Sequence, residues 1–116
     1  MYPQIERRQL PVHFRALASP TRLHILERLA ERAELSVKEL AASLRMSQPR
    51  VSWHLALLRR GGAVRTRKEG RQVHCSLDME GIRRHQLALW ELLNEKRTND
   101  HGHTEPSEHS AAAATD

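Results

Sequence analysis

Apolar residues recur at helical spacing along most of this chain, and the segment Ser47–Arg60 shows the pattern most clearly. Val51, Leu55 and Leu58 stand at i, i+4 and i+7, so a helix over this segment turns all three toward one side. The residues of the other side are Gln48, Arg50, Ser52 and Trp53, with His54 at the edge. Because one apolar stripe suffices to dock a helix on its own domain, the pattern predicts a helix whose second face stays exposed.

Two further helices are predicted near the start of the chain. The first covers residues 4–17, and Pro11 inside it predicts a break or a kink near Leu10. Its apolar positions are Ile5, Leu10, Phe14 and Leu17. Ser19 followed by Pro20 begins the second helix, because proline at the first helical position gives up no hydrogen bond. We expect this second helix to reach about residue 32.

A capping box marks the helix directly before Ser47. In this box the Ser36 side chain caps the first turn and the Glu39 side chain reaches back to the serine N–H. The helix is short and is expected to end near Arg45, so only Met46 separates it from the next cap. Two short helices joined by a tight turn, the second exposing polar and basic groups, predict a helix-turn-helix, although this turn lacks the usual glycine.

A β-hairpin is predicted after the helix-turn-helix. Gly61 and Gly62 end the preceding helix, since glycine accepts the left-handed conformation that closes a helix C-terminus. Beyond them the apolar residues alternate with period two, and those expected on one face are Val64, Val73, Cys75 and Leu77. The cationic residues around the turn, which falls near Glu69-Gly70, are Arg65, Arg67, Lys68, Arg71 and His74. A ribbon with a cationic tip over residues 65–72 predicts the wing of a winged helix, suited to phosphates or a minor groove.

The last predicted helix, from about Met79 to Asn94, carries more apolar residues than one stripe can hold. Such excess apolar surface at the end of a small domain indicates a second surface to pack against. We expect it to form a homodimer interface together with the first helix, and packing within one chain is the alternative. The expected interface residues are Leu10, Phe14, Ile82, Leu89, Trp90 and Leu93. The expected fold is therefore mainly α: a winged helix-turn-helix of five helices with a small β-hairpin between the fourth and the fifth.

The basic residues are unevenly distributed along the 116 residues. All 19 lysines and arginines lie at or before Arg97, with ten of the 14 acids, so residues 1–97 carry a net charge of +9. We expect these residues to form one DNA-binding and dimerisation domain. Lysines and arginines that neutralise DNA phosphates release the counterions bound there, and this release favours binding. A merely basic protein without a polyanionic partner is the alternative. Residues 98–116 hold four acids and no Lys or Arg, and we expect this acidic, His-bearing tail to be disordered.

Other classes of protein find little support. No apolar run approaches the ~20 residues of a membrane span, and the N-terminus lacks the apolar stretch of a secretion signal. The single cysteine, Cys75, excludes an internal disulfide and suits the reducing cytoplasm, where we expect the protein to act. Ser52 and His54 lie two residues apart on a helix and so point in different directions. With no glycine-rich phosphate loop and no H-E-x-x-H motif, we expect no enzyme activity.

Three consecutive segments of the chain resemble the ArsR-type (arsenic-repressor-like) winged-helix regulators of bacteria. They are FRALASPTRLHILERL, ELSVKELAASLRMSQPRVSWHLALLRRGGAV and RTRKEGRQVHCSL, which lie between Phe14 and Leu77. The resemblance implies a homodimer held by its first and last helices. It also implies that recognition helices 48–60 enter successive major grooves of a palindromic operator in double-stranded DNA, most often to repress transcription.

The resemblance also implies roles for individual residues. Those expected in or near the major groove are Ser47, Gln48, Arg50, Ser52, Trp53 and His54. Those expected on the flanking backbone are Arg67, Lys68 and Arg71. Two have a plainer alternative: His54 binding only a phosphate or its own backbone, and Trp53 packing on the neighbouring helix.

The sequence departs from the family at its sensing sites. Where many members have a Cys-x-Cys element, this chain has Ser36 and Lys38, which cannot replace two thiolates. The last-helix positions that bind metal in other members correspond to Met79, Gly81, Leu92 and Glu95, of which only the last could ligate. We therefore expect no cofactor and no metal at these sites, and an unknown effector remains open.

Two alternative functions remain open from the sequence. One is a regulator responsive to nickel, cobalt or zinc through the tail histidines His101, His103 and His109. The other is a winged-helix module that binds an acidic protein or RNA. His13 and His85 could also meet across helices, but nothing in the sequence places them together.

Overall fold

The computed structural model describes residues 7–101, with side chains through Arg97. Its helices in chain order are α1 (Leu10–Leu17), α2 (Pro20–Glu31), α3 (Val37–Leu44), α4 (Gln48–Arg60) and α5 (Met79–His101). Its strands are β1 (Leu35–Ser36), β2 (Val64–Glu69) and β3 (Gln72–Leu77). The expected class, mainly α with a small β-hairpin, is confirmed for the described residues.

The first helix begins later than the sequence predicted. A single 3-10 turn, Arg7–Gln9, precedes α1, and Pro11 lies in the first turn of the helix and not inside it. The break expected near Leu10 is confirmed, because the 3-10 turn changes to an α-helix at that residue. Proline has no N–H to contribute and its fixed φ fits a first helical turn, so it starts this helix. Ile5 lies outside the described residues.

Serine side chains start three of the helices, as predicted. The hydroxyl oxygens of Ser19, Ser36 and Ser47 each accept a hydrogen bond from the backbone N–H three residues later, at 3.2, 3.0 and 3.3 Å. Glu39 completes the capping box by accepting from the N–H of Ser36 at 2.9 Å. Because each cap satisfies a donor that the helix cannot, the starts of α2, α3 and α4 are fixed locally.

The turn between α3 and α4 explains how the chain manages without a glycine. Arg45 adopts the left-handed conformation there, with φ of 55°, and its N–H bonds the carbonyls of Ala41 and Ala42. A side chain in this conformation lowers the stability of the fold by about 1–2 kcal/mol. The tight turn that results keeps α4 close behind α3.

Arg45→Gly should therefore stabilise the protein. Relief of the left-handed strain outweighs the extra freedom of glycine in the unfolded chain, and we expect a gain of about 0.5–1 kcal/mol in urea unfolding. Ser43→Gly, on an exposed position inside α3, is the matched control and should cost a similar amount. Equal destabilisation by both substitutions would contradict the explanation.

The core forms where the inner face of α4 meets α2, α3 and the sheet. Val51, Leu55 and Leu58 are buried, as the helical spacing predicted. Ile25 and Leu40 of the neighbouring helices are fully buried against the same cluster. The other buried members are Ala16, Leu29, Leu35, Ala41, Ala63, Val64 and Cys75.

The sheet has three strands in the described part of the chain, one more than the sequence predicted. β2 and β3 form the expected hairpin, and Val64, Leu77, Cys75 and Val73 share one face through the pairs Val64–Leu77, Thr66–Cys75 and Lys68–Val73. β1 adds to the other edge of β3, with Leu35 opposite Cys75. A strand of two residues shows no alternation, and here a capping box follows it directly, so the sequence held no signal for it.

Cys75 lies in the middle of this sheet with no exposed surface. Burial raises the pKa of its thiol to about 11, so the thiol stays protonated at neutral pH. Cys75 is therefore a small core side chain, on the inward hairpin face expected for it.

The recognition-helix candidate α4 ends as the two glycines predicted. Gly62 has φ of 77°, and its N–H bonds the carbonyl of Arg59 at 3.0 Å. The N–H of Ala63 bonds the carbonyl of Leu58 at 2.9 Å. These two bonds form a Schellman motif, which only a residue tolerant of positive φ closes without strain.

Helix α5 runs to His101, past the expected end at Asn94. The tail residues 102–116, with His103 and His109, lie outside the described part of the chain. None of the helices that the structure describes combines the length and the apolar character needed to cross a bilayer.

Candidate nucleic-acid interface

The outer face of α4 is exposed as the sequence predicted. Gln48, Arg50 and Ser52 are exposed, and Trp53 keeps 60% of its surface accessible. Ser47, which caps the helix, is exposed beside them. None of these side chains is needed for the core, so this face is free to meet a partner.

His54 differs from the other α4 candidates because it is buried, with 8% of its surface exposed. Its Nδ1 lies 3.2 Å from a guanidinium nitrogen of Arg22, whose Nε donates to the carbonyl of Ala16 at 2.7 Å. A guanidinium can only donate, so Nδ1 accepts and the ring carries its proton on Nε2. Burial, then the charges of Arg22 and Arg50, lower the pKa of His54, so it is neutral at pH 7.

Trp53 stands edge-on to the His54 ring, with centroids 5.0 Å apart and planes at 70°. This contact within α4 leaves most of the indole exposed, so the alternative that Trp53 packs on a neighbouring helix is not what the structure shows. Arg22 and His54 therefore brace an exposed aromatic side chain on the outer face of the helix.

The three wing cations that the sequence grouped together are in different environments. Arg67 donates two hydrogen bonds to the carboxylate of Glu34, at 3.0 and 2.8 Å, and a third to Glu69. These pairs lower the pKa of both glutamates and raise that of Arg67. Lys68 and Arg71 are exposed and form no ion pair within residues 7–97. The sequence missed this difference because Glu34 is 33 residues from Arg67.

The expected dimer residues also divide into two groups. Leu10 is buried within its own chain, with 5% exposed, and Ile82 packs on the core. Phe14 and Leu89 are half-buried. The two that expose much of their surface are Trp90, at 43%, and Leu93, at 53%.

Leu87 belongs with this second group, although the sequence analysis did not place it in the interface. It is 50% exposed and stands three residues before Trp90, which stands three before Leu93. The three lie on one side of α5 and form a continuous apolar stripe, which we call the α5 stripe. The spacing of three residues between Leu87, Trp90 and Leu93 is visible in the sequence, and it would have identified the α5 stripe if these residues had been separated from those facing the core.

The family's metal positions have other roles in this chain. Ser36 is a buried cap, and a Cβ at Gly81 would lie 2.2 Å from the carbonyl oxygen of Gly62, so no ligating side chain fits at that position. Glu95 pairs with Arg7 at 2.6 Å. Among the residues described, no three His, Cys, Asp or Glu side chains come together in a way that could hold a metal ion.

Comparison with known proteins shows which family of proteins this chain resembles. A helix-turn-helix domain family matches residues 17–67. The chain is 48% identical over 69 residues to the arsenical resistance operon repressor of Escherichia coli, an alignment that covers 59% of this chain and 59% of that one. It is 40% identical over 99 residues to the HTH-type transcriptional regulator KmtR of Mycobacterium tuberculosis, which covers 85% of this chain and 72% of that one.

Solved structures agree with this assignment. The crystal structure of the ArsR family transcriptional regulator RHA00566 superposes with a TM-score of 0.67 at 31% identity, over 83% of this chain and 98% of that one. The homodimeric winged helix-turn-helix DNA-binding domain Mb0332 of Mycobacterium bovis gives a TM-score of 0.59 at 27% identity, over 91% of this chain and 100% of that one.

An exposed polar helix and a cation-tipped ribbon on this fold define the class of winged helix-turn-helix regulators. Within that class, the chain belongs to the ArsR family of transcriptional regulators. Members of this family regulate transcription and are not enzymes, in agreement with the sequence analysis.

Proposed function

We propose that this protein is a sequence-specific DNA-binding regulator, in the first instance a repressor, that binds an inverted-repeat operator as a homodimer. The observation that carries the proposal is the division of α4 into a buried face and an exposed face, the second holding Gln48, Arg50, Ser52 and Trp53. A helix docked in this way presents its polar residues to a major groove. Residues 1–97 would form the working domain, and its site of action would be the cytoplasm.

The roles within α4 follow from side-chain chemistry. Arg50 is exposed, and its fork of donors fits the O6 and N7 acceptors of guanine. Gln48 can pair in the same bidentate way with adenine. Trp53, braced by His54, supplies an apolar contact, and neutral His54 has its Nε2–H available to donate. Pro49 has no N–H and that of Arg50 bonds the Ser47 hydroxyl, so the N–H of Gln48 is the first-turn donor that suits a phosphate beside Ser47.

The dimer is supported by the α5 stripe and by the relative from M. bovis, which is a homodimer. An exposed stripe of Leu87, Trp90 and Leu93 on one helix is the kind of surface that a second copy covers. A twofold axis that sets the two α4 helices about one DNA turn apart would match an inverted repeat.

The direct test is an electrophoretic mobility-shift assay of the full chain. It compares binding to the DNA immediately upstream of the protein's own gene with binding to a shuffled duplex of the same base composition. We expect affinity in the nanomolar range for the upstream DNA and about 10³-fold or more weaker binding to the shuffled duplex. Affinity for both should fall steeply with salt. Equal binding to the two duplexes would overturn the proposal and favour a module that recognises protein or RNA.

The wing contacts are expected to be unequal. Lys68 and Arg71 would bind the DNA backbone, whereas Arg67 is held by Glu34 and Glu69. Glu34→Gln, which leaves Arg67 only its pair with Glu69, should free Arg67 in part toward phosphate, raise affinity for any duplex, and steepen the slope of log K against log salt by up to about 1.

The matched control for this prediction is Glu27→Gln, which removes an exposed carboxylate from α2. It lowers the negative charge equally but frees no wing cation. A salt slope that changes by the same amount in both variants would contradict the assigned role of Glu34.

A further inference from the structure

Two buried histidines lie where α1, α5 and the turn after α4 meet. His13 has no exposed surface and His85 has 6%. Their rings stack, with centroids 4.0 Å apart and planes within 7° of parallel. The proposed DNA contacts use neither residue, so the pair calls for a separate explanation.

Each ring is fixed by a hydrogen bond to the main chain. Nδ1 of His13 lies 2.6 Å from the carbonyl oxygen of Gly61, and Nδ1 of His85 lies 2.6 Å from that of Gly81. Because a carbonyl oxygen only accepts, both Nδ1 atoms carry a proton and donate it. A neutral ring then has no proton on Nε2, and Nε2 of His13 is buried without a hydrogen-bond partner in the described part of the chain.

The glycines around the pair bring the three elements into direct contact. A Cβ at Gly62 would lie 2.7 Å from Cε1 of His85, and a Cβ at Gly81 would lie 2.2 Å from the carbonyl oxygen of Gly62. Gly62 is also the residue whose positive φ closes α4. Any movement of the His85 ring therefore acts on the turn that ends the recognition helix.

The surroundings of His13 favour a neutral ring. Burial lowers the pKa of His13 below its ordinary 6.5, the backbone hydrogen bond opposes this, and the neighbouring His85 lowers it further. The nearest acid at the start of α5, Asp78, binds a backbone N–H of its own helix and pairs with Arg65 at 3.2 Å. Phe14 of α1 meets the His13 ring edge-on. Within residues 7–97, no acidic group raises the pKa of His13.

We propose that His13 and His85 are a positioning pair that, in its neutral form, holds the end of α4 against α1 and α5 and so keeps the operator-binding geometry. The inference rests on the proposed function, because there α4 binds the operator and α5 joins the two subunits. Protonation would put a proton on Nε2 of His13, where nothing accepts it, and a buried cation against a second imidazole. The stack would open, and operator affinity would fall on acidification.

The direction of this effect separates it from ordinary electrostatics. Acidification turns exposed histidines into cations, and added cations strengthen binding to phosphates. Neutral His54, which accepts from Arg22 at Nδ1, is a second buried histidine whose protonation would disturb α4. Affinity that falls with falling pH therefore requires a loss of geometry, and the double variant described next separates the pair from His54.

The test measures operator affinity of the full chain between about pH 8 and pH 5.5, with the DNA upstream of its own gene as the probe. We expect affinity to fall about tenfold or more across this range. The double variant His13→Asn with His85→Asn keeps an N–H donor at each site but cannot be protonated, so its affinity should fall less than about threefold.

His24→Asn is the matched control, since it removes an exposed histidine and should leave the fall intact. The same fall in the double variant as in the unaltered chain would overturn the proposal. A lack of preference for the upstream DNA at about pH 8 would instead count against the proposed function.

A second measurement tests the pair without DNA. In ¹⁵N spectra of the unaltered chain, both rings should be Nδ1–H tautomers at neutral pH. As the pH drops below 6.5, the free energy of unfolding should fall further in the unaltered chain than in the double variant, because only the unaltered chain loses neutral His13, whereas buried His54 is present in both. An Nε2–H tautomer in either ring, or the same fall of stability in both proteins between pH 6.5 and about 5.5, would overturn the pair.

Discussion

Leu87→Asp combined with Leu93→Asp is expected to give a folded monomer that binds the operator at least about a hundredfold more weakly than the unaltered protein. Both side chains are about half exposed in the single chain, at 50% and 53%, so the fold of one subunit loses little. In the dimer proposed above they meet a second copy, where an unpaired carboxylate loses its water. Sedimentation equilibrium gives the oligomeric state, and circular dichroism confirms that the helices remain.

Ala88→Asp is the matched control for this double variant. It adds a carboxylate to a partly exposed position of the same helix, about 100° round the axis from Leu87 and farther from Trp90 and Leu93, so outside the α5 stripe. We expect this variant to remain dimeric and to keep its affinity within about threefold, because it only adds a screened surface charge. A double variant that stays dimeric with unchanged affinity would show that α5 is not the interface.

Much of the fold was predictable because its signals are local. The spacing of Val51, Leu55 and Leu58 fixed which face of α4 is buried, and three serine caps fixed where helices begin. Gly62 and Gly70 marked a helix end and a hairpin turn, and both have positive φ. Each of these features depends on a few neighbouring residues, which the sequence displays directly.

Other features depend on residues far apart in the chain and were not predictable. Glu34 neutralises Arg67 across 33 positions, and Arg22 holds His54 across 32. A cation or a histidine on a helical or alternating pattern carries no sign of such a partner. The sequence therefore grouped Arg67 with Arg71 and placed His54 with exposed Arg50, although their environments differ.

The stacking of His13 on His85 is the strongest example. Seventy-two positions separate the two residues, and only the packing of α1 and α5 around a glycine turn joins them. Gly81 has no side chain because the carbonyl of Gly62 occupies that space. Sequence comparison with the family indicated only that a metal ligand was missing there, whereas the structure gives the steric reason.

The second large effect is expected at Arg50, where alanine should remove base discrimination. Arg50 is exposed on α4, and only its backbone N–H is used by the cap on Ser47, so its side chain is free for the groove. Loss of one bidentate contact costs roughly 1–3 kcal/mol, or about a five- to hundredfold loss of affinity for the operator. Binding to a shuffled duplex should fall much less, because there Arg50 has no matching base.

Two comparison variants separate base reading from simple charge. Arg71→Ala removes a wing cation and should weaken binding to the operator and to the shuffled duplex by the same factor, with a salt slope lower by about 1. Arg50→Lys keeps the charge but not the planar fork, and should recover nonspecific affinity without the discrimination. Because charge and geometry are thus varied separately, an equal loss on every duplex from Arg50→Ala would show that this residue binds the backbone, and the specificity would then have to come from Gln48 and Trp53.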